Sequence, residues 1–323
     1  MPRILGRTRR CWFMRNVSKF PGLFLALVLI AAGGAAQETE STAPGEIHRY
    51  ELLVQQPATK DKGMVWWKLA MLYQDAARYA DAEHAYKQAL RLLQSSGRTI
   101  QANLKDQMGT MYVETGRYAE AEQLEQNALA LREAQQDALG IGLSWMHLAM
   151  LSLGKRQNAE GEMYAELAVE RLIPDRSEKA GQNTATPEQK MTALIYLSLA
   201  RCAARNCVDA LAPLKRAMTI ADASYPKQSF PVAYITFLEG YARWKRGDSH
   251  SAARLMKSGT EGMEVRLGWG HPTYISAMRQ YEKLLMQSGH EAEAAEVKQK
   301  LLRLPGVQPA TQSARAEGIA SLR

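Results

Sequence analysis

The chain has 323 residues, 46% of them hydrophobic and 23% charged, which is the composition of a folded protein and excludes a wholly disordered one. Its formal net charge of +8 would suit a nucleic-acid partner, but six of its basic residues and none of its acidic residues lie in the first 36. The rest holds 35 basic and 33 acidic residues. It offers no general attraction to phosphate backbones, and we predict no nucleic-acid partner.

The N-terminal segment has the pattern of a secretory signal peptide. A basic stretch precedes the apolar run "PGLFLALVLIAA", and the small residues of "GGAAQ" come after it. We predict a signal peptide over residues 1–36, cleaved after Ala36, with Met1 or Met14 as the start, and export to a bacterial periplasm or the medium. The apolar run is about 15 residues, shorter than the roughly 20 that span a bilayer as a helix. Anchoring in a membrane by residues 21–36 is the alternative.

Residues 37–62 come next, as a polar linker that begins "QETESTAPGE" and leads into "IHRYELLVQQ". We expect the second stretch to form one helix that covers the open end of the helical region beginning at residue 63. At the other end of the chain, residues 304–323 are polar and rich in small residues, and we predict a disordered tail there.

The middle of the chain repeats one pattern. The lines "YADAEHAYKQALRLL" (79–93), "YAEAEQLEQNALALR" (118–132) and "NAEGEMYAELAVERL" (158–172) succeed each other at offsets of 39 and 40 residues. In each line a small residue, the residue four positions later and an alanine three further share one helix face, as Ala82, Tyr86 and Ala89 do in the first line. Another small residue stands 12 positions before Ala82, Ala121 and Gly161. These upstream residues are Ala70, Gly109 and Ala149. This pattern predicts two helices per repeat, crossing closely at small residues.

The first repeat, "WWKLAMLY" followed by Ala82, Tyr86 and Ala89, resembles the tetratricopeptide repeat (TPR) family. Its long period resembles that of kinesin light chains. The resemblance covers 63–303, with repeats starting near 63, 102, 142, 191, 233 and 275. It implies an all-α fold, an α-α superhelix of about six helical hairpins. Ahead of the fourth repeat, we predict a helix start with Thr186 as its cap, Pro187 in the first turn and Gln189 three residues past the cap.

The family resemblance also implies a concave groove lined by the first helix of each pair. Asp106 and Thr110 stand with Trp67 and Met71 at positions where a carboxylate clamp would need Lys and Asn, so a C-terminal carboxylate is not the expected ligand. The groove is instead apolar, which suits an apolar or amphipathic partner segment, although the same residues could form plain core. The candidate groove residues are Trp67, Met71, Met146, Met150, Ile195, Leu199, Tyr234, Phe237, Tyr241 and Trp244. We expect Trp244 to be more exposed than Phe237, because it ends its helix.

No catalytic arrangement is evident from the sequence. The six histidines are scattered, and no two have metal-ligand spacing on one predicted helix face. We expect His271 to cap a helix. No phosphate-binding glycine loop or nucleophile elbow is present. We therefore predict neither enzyme activity, nor a cofactor, nor a metal site.

Two cysteines lie beyond the predicted signal peptide, Cys202 and Cys207, in "CAARNC". In an exported chain such a pair suggests a disulfide, provided that the turn between two helices brings the residues together. Two free thiols in the core are an equal alternative.

Taken together, these features predict a non-enzymatic scaffold, exported from the cytoplasm, that binds a protein or peptide segment in its groove. One alternative is a membrane-tethered assembly subunit, if the N-terminal apolar segment is retained. The other is a sensor of a small molecule, which we consider less favoured because the predicted groove has few convergent polar groups.

Overall fold

A computed structural model describes residues 43–174 and 185–303. Throughout these two ranges the regular structure is helical. The predicted signal peptide, residues 175–184 ahead of the fourth repeat and the predicted C-terminal tail lie outside them. None of the described helices is both long and apolar enough to cross a membrane. The helices are α1 (Ala43–Gln55), α2 (Lys62–Asp75), α3 (Tyr79–Leu92), α4 (Arg98–Glu114), α5 (Tyr118–Glu133), α6 (Ala138–Gly154), α7 (Asn158–Leu172), α8 (Pro187–Arg205), α9 (Leu211–Ser224), α10 (Phe230–Lys245), α11 (Ser249–Leu267), α12 (Pro272–Gln287) and α13 (Glu291–Leu302).

From α2 onward the helices pair as hairpins, α2 with α3 through α12 with α13, and each hairpin also packs on the next. An additional helix, α1, packs on α2, where the Tyr73 hydroxyl donates a hydrogen bond to Glu51 Oε1 at 2.7 Å. The first helices of the second to sixth pairs begin three or four residues before the starts expected from the sequence. Residues such as Arg98 and Ala138 therefore add about one helical turn ahead of the repeat motif.

The turn inside five of the six described hairpins, all but the fourth, repeats one backbone device, best seen in the first two pairs. Ala77 and Gly116 have left-handed φ values of 55° and 76°. The next residue donates its amide hydrogen to the carbonyl five residues back, from Arg78 to Tyr73 and from Arg117 to Tyr112, both at 2.8 Å. This is a helix C-terminal motif that satisfies carbonyls left open where the helix ends. It explains why the turns fall at the repeat period.

The two helices of a pair approach closely at small residues, as predicted. Ala70 and Ala82 have no exposed surface. In the fifth pair the approach is closest, since a Cβ on Gly259 would lie 2.7 Å from the backbone nitrogen of Phe237. Only a glycine fits there without moving the helices apart.

Two of the predicted helix caps are present. The Thr186 side chain accepts from the Gln189 amide while Gln189 Oε1 accepts from the Thr186 amide, so that α8 starts with a full capping box. His271 Nδ1 accepts from the Thr273 amide at the start of α12. Both helix starts are therefore fixed by local sequence.

Candidate functional site

A cavity of about 390 Å³ lies among the first helices of the first four pairs, α2, α4, α6 and α8. Its apolar wall includes Trp67, Met71 and Met146. Its polar wall is more extensive than the sequence led us to expect, because first-helix residues of successive pairs converge here. The polar lining residues are Gln74, Asp75, Asn103, Asp106, Gln107, Thr110, Arg132, His147, Thr186, Glu188, Gln189 and Thr192.

Hydrogen bonds between helices fix the shape of this cavity. The Trp67 indole N–H of α2 donates to Gln107 Oε1 of α4 at 3.3 Å. The Tyr86 hydroxyl, on α3, donates to Gln74 Oε1 of α2 at 2.7 Å. These bonds hold amphipathic side chains at the edge of the cavity, where an aromatic body and a polar group are both available to a ligand.

Three of the ten candidate groove residues line the cavity, namely Trp67, Met71 and Met146. Trp67 and Met71 are half-buried, whereas Met146 is buried. The other seven are buried and do not line it, and they are Met150, Ile195, Leu199, Tyr234, Phe237, Tyr241 and Trp244. In this conformation these seven pack as core. As expected, Trp244 is more exposed than Phe237, at 7% against 0%.

A buried ionic cluster, which sequence analysis missed, borders the cavity; it comprises Asp106 of α4, Glu125 and Arg132 of α5, and His147 of α6. Asp106, Glu125 and Arg132 have at most 1% of their surface exposed. Arg132 forms an ion pair with Asp106, and His147 Nδ1 lies 3.5 Å from one carboxylate oxygen of each acid. Four charged side chains from three helices thus meet in the interior.

Arg132 is anchored from two other directions. Its guanidinium donates to Ser144 Oγ at 2.7 Å and to Asn103 Oδ1 at 2.8 Å. A buried guanidinium is tolerated when its donors are satisfied and a counter-charge is near. The surrounding hydrogen bonds therefore give the Asp106–Arg132 pair a fixed geometry.

The members of the cluster affect each other's protonation. Burial would raise the pKa of Asp106, but His147 and Arg132 hold it below its usual value. For Glu125 burial dominates and raises the pKa to about 8. Burial would lower the pKa of His147, but the Asp106 and Glu125 carboxylates raise it to about 10. At neutral pH, without a bound ion, the cluster thus retains protons on both His147 and Glu125.

The repeat alignment contains a signal that could have revealed this cluster. Glu125 stands in the second line where Tyr86 stands in the first, and Arg132 stands where the first and third lines have leucines. The carboxylate fits because α4 has Gly109 opposite, where a Cβ would lie 2.4 Å from Glu125 Oε1. Charged residues in otherwise apolar columns of a repeat mark a departure from the plain framework.

The structure joins Cys202 and Cys207 in a disulfide. Cys202 lies in the last turn of α8, and Cys207 lies just beyond Asn206, which ends the helix with a left-handed φ of 50°. Reversal of the chain at Asn206 brings the two residues together, which a continuous helix would not do. The bond closes the turn of the fourth hairpin.

Comparison with known proteins gives two findings on family and fold. Residues 61–134 match the family model "Tetratricopeptide repeat". The crystal structure of the apo form of RapI is 13% identical, covers 87% of this chain and 94% of its own, and has a TM-score of 0.61. The identification of tetratricopeptide repeats from the sequence is confirmed, and the RapI likeness shows a shared fold. No curated protein sequence matches the chain.

Two further solved structures are also similar to this chain at 16% identity. BtubC (BKLC) from P. vanneervenii covers 75% of this chain and 92% of its own with a TM-score of 0.49. A putative kinesin light chain from Podosopora anserina with nearly identical TPR-like repeats covers 62% and 94% with a TM-score of 0.46.

Proposed function

Because this chain carries tetratricopeptide repeats, we propose that it is a non-enzymatic scaffold that binds an apolar or amphipathic segment of another protein. The observation that carries the proposal is the cavity among α2, α4, α6 and α8. Repeat proteins of this family bind proteins or peptides, and first helices form their concave side.

The lining of the cavity favours a segment with both apolar and polar groups. Trp67, Met71 and Met146 offer an adaptable apolar wall, whereas Gln107 and Thr110 add polar groups to the lining. A volume of about 390 Å³ accommodates one or two anchoring side chains rather than a whole helix. We therefore expect a partner segment that inserts an anchor into the cavity and lies over the half-buried Trp67 and Met71.

Site-specific photo-crosslinking tests this proposal with a matched pair of positions. A photoreactive phenylalanine analogue replaces Met71 in the cavity in one chain and Met163 in the other, where the native side chain is 47% exposed on α7. In the cells that make the protein, position 71 should give discrete protein adducts and position 163 should not. Equal adducts at both positions, or none at position 71, would overturn the assignment.

The convergent polar groups also give a specific reason to keep the small-molecule alternative. The same experiment separates the two proposals, because a small ligand leaves no protein-sized adduct at position 71. In that case, mass spectrometry of the protein purified under native conditions should show a bound small molecule, and Met71→Trp should remove it by filling the cavity.

The buried aromatic strip of α10 needs a separate test, because its residues are candidates for the groove and would be binding hot spots there; they are Tyr234, Phe237, Tyr241 and Trp244. Phe237 and Trp244 both lie in the core, and Phe237→Ala should cost about 3–5 kcal/mol of unfolding free energy. If the strip binds a partner instead, the folded fraction of Phe237→Ala should bind that partner more weakly. Unchanged affinity together with a large loss in melting temperature would end the hot-spot hypothesis.

We also propose that the scaffold acts outside the cytoplasm, with membrane anchoring by residues 21–36 as the alternative. The basic segment, apolar run and small residues of the N-terminus support export. Mass spectrometry of the N-terminus of the protein from intact cells should find a start after Ala36. An N-terminus at Met1 or Met14 in the membrane fraction would support the anchored form instead.

A further inference from the structure

The buried cluster beside the cavity has a chemistry that partner binding does not use. We propose that Asp106, Glu125 and His147 bind one divalent transition-metal ion, for which Zn²⁺ is the probe. The three side chains come from three successive helices, α4, α5 and α6. This site is independent of the proposed partner segment and would exist in the isolated chain.

The first observation is the geometry of the donor atoms. One carboxylate oxygen of each acid and one imidazole nitrogen all lie within 4.8 Å of one another. An ion about 2.0–2.2 Å from each ligand therefore needs only a small adjustment of side chains to contact all three. One nitrogen and two oxygens form a donor set that zinc and neighbouring transition metals accept.

The second observation is that the donors are buried without hydrogen bonds. Glu125 has no exposed surface, and no donor among the described residues forms a hydrogen bond with either of its carboxylate oxygens. Among the described residues Asp106 Oδ1 and His147 Nδ1 likewise have no hydrogen-bond partner, whereas Asp106 Oδ2 is paired with Arg132. Buried polar atoms are normally satisfied, and each exception points to strain or to a missing ligand. A cation among these atoms would satisfy all three side chains at once.

The rest of the cluster suits such a site. Arg132, fixed by Ser144 and Asn103, holds Asp106 in place and offsets part of the negative charge. A supporting partner of this kind orients a metal ligand. Asp106 and His147 also line the cavity, so an ion reaches the site from there. Three protein ligands leave a coordination position that water or a cavity ligand can fill.

A proton is the alternative to a metal ion at His147 Nδ1. The protonated imidazole would pair with the carboxylates of Asp106 and Glu125. Metal and proton compete for Nδ1, so their effects can be separated experimentally. The protein is stripped with a chelator and titrated with Zn²⁺ by calorimetry, and with Co²⁺ by visible absorption. The wild-type chain should bind one ion, and Co²⁺ should give a d–d absorption band.

The test variants are Glu125→Gln and His147→Gln, which keep the side-chain size while removing a ligand. The matched controls are Glu296→Gln and His290→Gln, at exposed positions of α13 and its preceding turn. Each test variant should weaken Zn²⁺ binding at least about 10-fold and abolish the Co²⁺ band, whereas the controls should leave both unchanged. Circular dichroism of each variant establishes that it is folded.

Three results would overturn the proposal. They are the absence of stoichiometric Zn²⁺ binding at micromolar concentration, binding that both test variants retain, and binding that His290→Gln removes. The last would place the ion on the exposed surface. Because no partner enters this experiment, its outcome does not depend on whether the scaffold proposal is correct.

Discussion

The second and fifth hairpins use the same crossing with opposite chemistry. In the second, Gly109 of α4 lies against Glu125 of α5, and in the fifth, Gly240 of α10 lies against Met256 of α11. Both side chains have no exposed surface. The carboxylate meets Asp106 and His147, whereas the thioether is part of the hydrophobic core. One framework position therefore serves as a polar site in one repeat and as core in another.

This difference shows that the repeat framework does not determine where function lies. Glycine at the crossing provides room for a side chain of either kind, and the surrounding helices decide whether it is stabilised. At the crossing of the second hairpin, Arg132 of α5 and His147 of the adjoining α6 supply positive charge, while at the fifth the strip of α10 supplies aromatic surface. A buried carboxylate should be tolerated in the first setting and not in the second.

Met256→Glu should produce the largest effect. It places a carboxyl group at the crossing beside Gly240 and Ala252. Among the residues that the structure describes, this crossing has no counterpart of Arg132 and His147, which surround the buried carboxylates of the second hairpin. We expect a loss of about 3–5 kcal/mol in unfolding free energy, measured by urea denaturation. Val265→Glu, on the same helix at a residue that is 81% exposed, is the control and should change little. Similar stabilities for the two variants would contradict the comparison.

Reduction of the disulfide should have the next largest effect. The disulfide distinguishes the fourth hairpin, whose turn is closed by Cys202 and Cys207, from the fifth, which turns at Gly247 without one. Opening a loop of about six residues should lower the free energy of unfolding by about 2 kcal/mol. Urea denaturation with and without reductant measures it. A Cys202→Ala/Cys207→Ala variant should not respond to reductant, and two free thiols in protein purified without reductant would contradict the bond.

The pH dependence of stability should distinguish the second hairpin from the fifth. The folded state raises the pKa of His147 to about 10 and that of Glu125 to about 8, so both groups bind protons more tightly when folded. Their contribution is present at pH 6 and is lost as pH rises through these values. Asp106, whose pKa is held below its usual value, faces both groups and stays ionised over this range, and Arg132 pairs with it.

We therefore expect the metal-free protein to lose at least about 1 kcal/mol of unfolding free energy between pH 6 and pH 9. Urea denaturation in the presence of a chelator measures this loss. In Glu125→Gln/His147→Gln the slope should be much flatter, whereas His290→Gln should behave as the wild type does. A stability that stays constant or rises over this interval in the wild type would contradict the assigned protonation.

Ala77→Gly should have the smallest effect, and its sign is the informative result. Ala77 has a φ of 55°, at the turn position where the second and fifth hairpins have Gly116 and Gly247. Glycine adopts this conformation without the steric cost that alanine carries, so the substitution should stabilise the fold by about 0.5–1 kcal/mol. Ala89→Gly, inside α3, should destabilise it by a similar amount. Thermal melts of both variants provide the test, and a destabilised Ala77→Gly would contradict it.

The sequence by itself determined the local features of this protein. Helix pairs arise from the spacing of apolar and small residues, because neighbours three and four apart share a helix face. The Thr186 and His271 caps arise from the hydrogen bonds that residues near them in the sequence can make. The signature residues of the first repeat and their recurrence along the chain identified tetratricopeptide repeats in the sequence.

Only the tertiary structure decided which first-helix residues border a cavity and which are core. Trp67 and Phe237 carry the same expectation in the sequence, but the first lines the cavity and the second is fully buried. The difference depends on how closely successive hairpins pack, which no local pattern specifies. The meeting of Asp106, Glu125, Arg132 and His147 is likewise a tertiary result, because charges on three helices come together only when the hairpins stack.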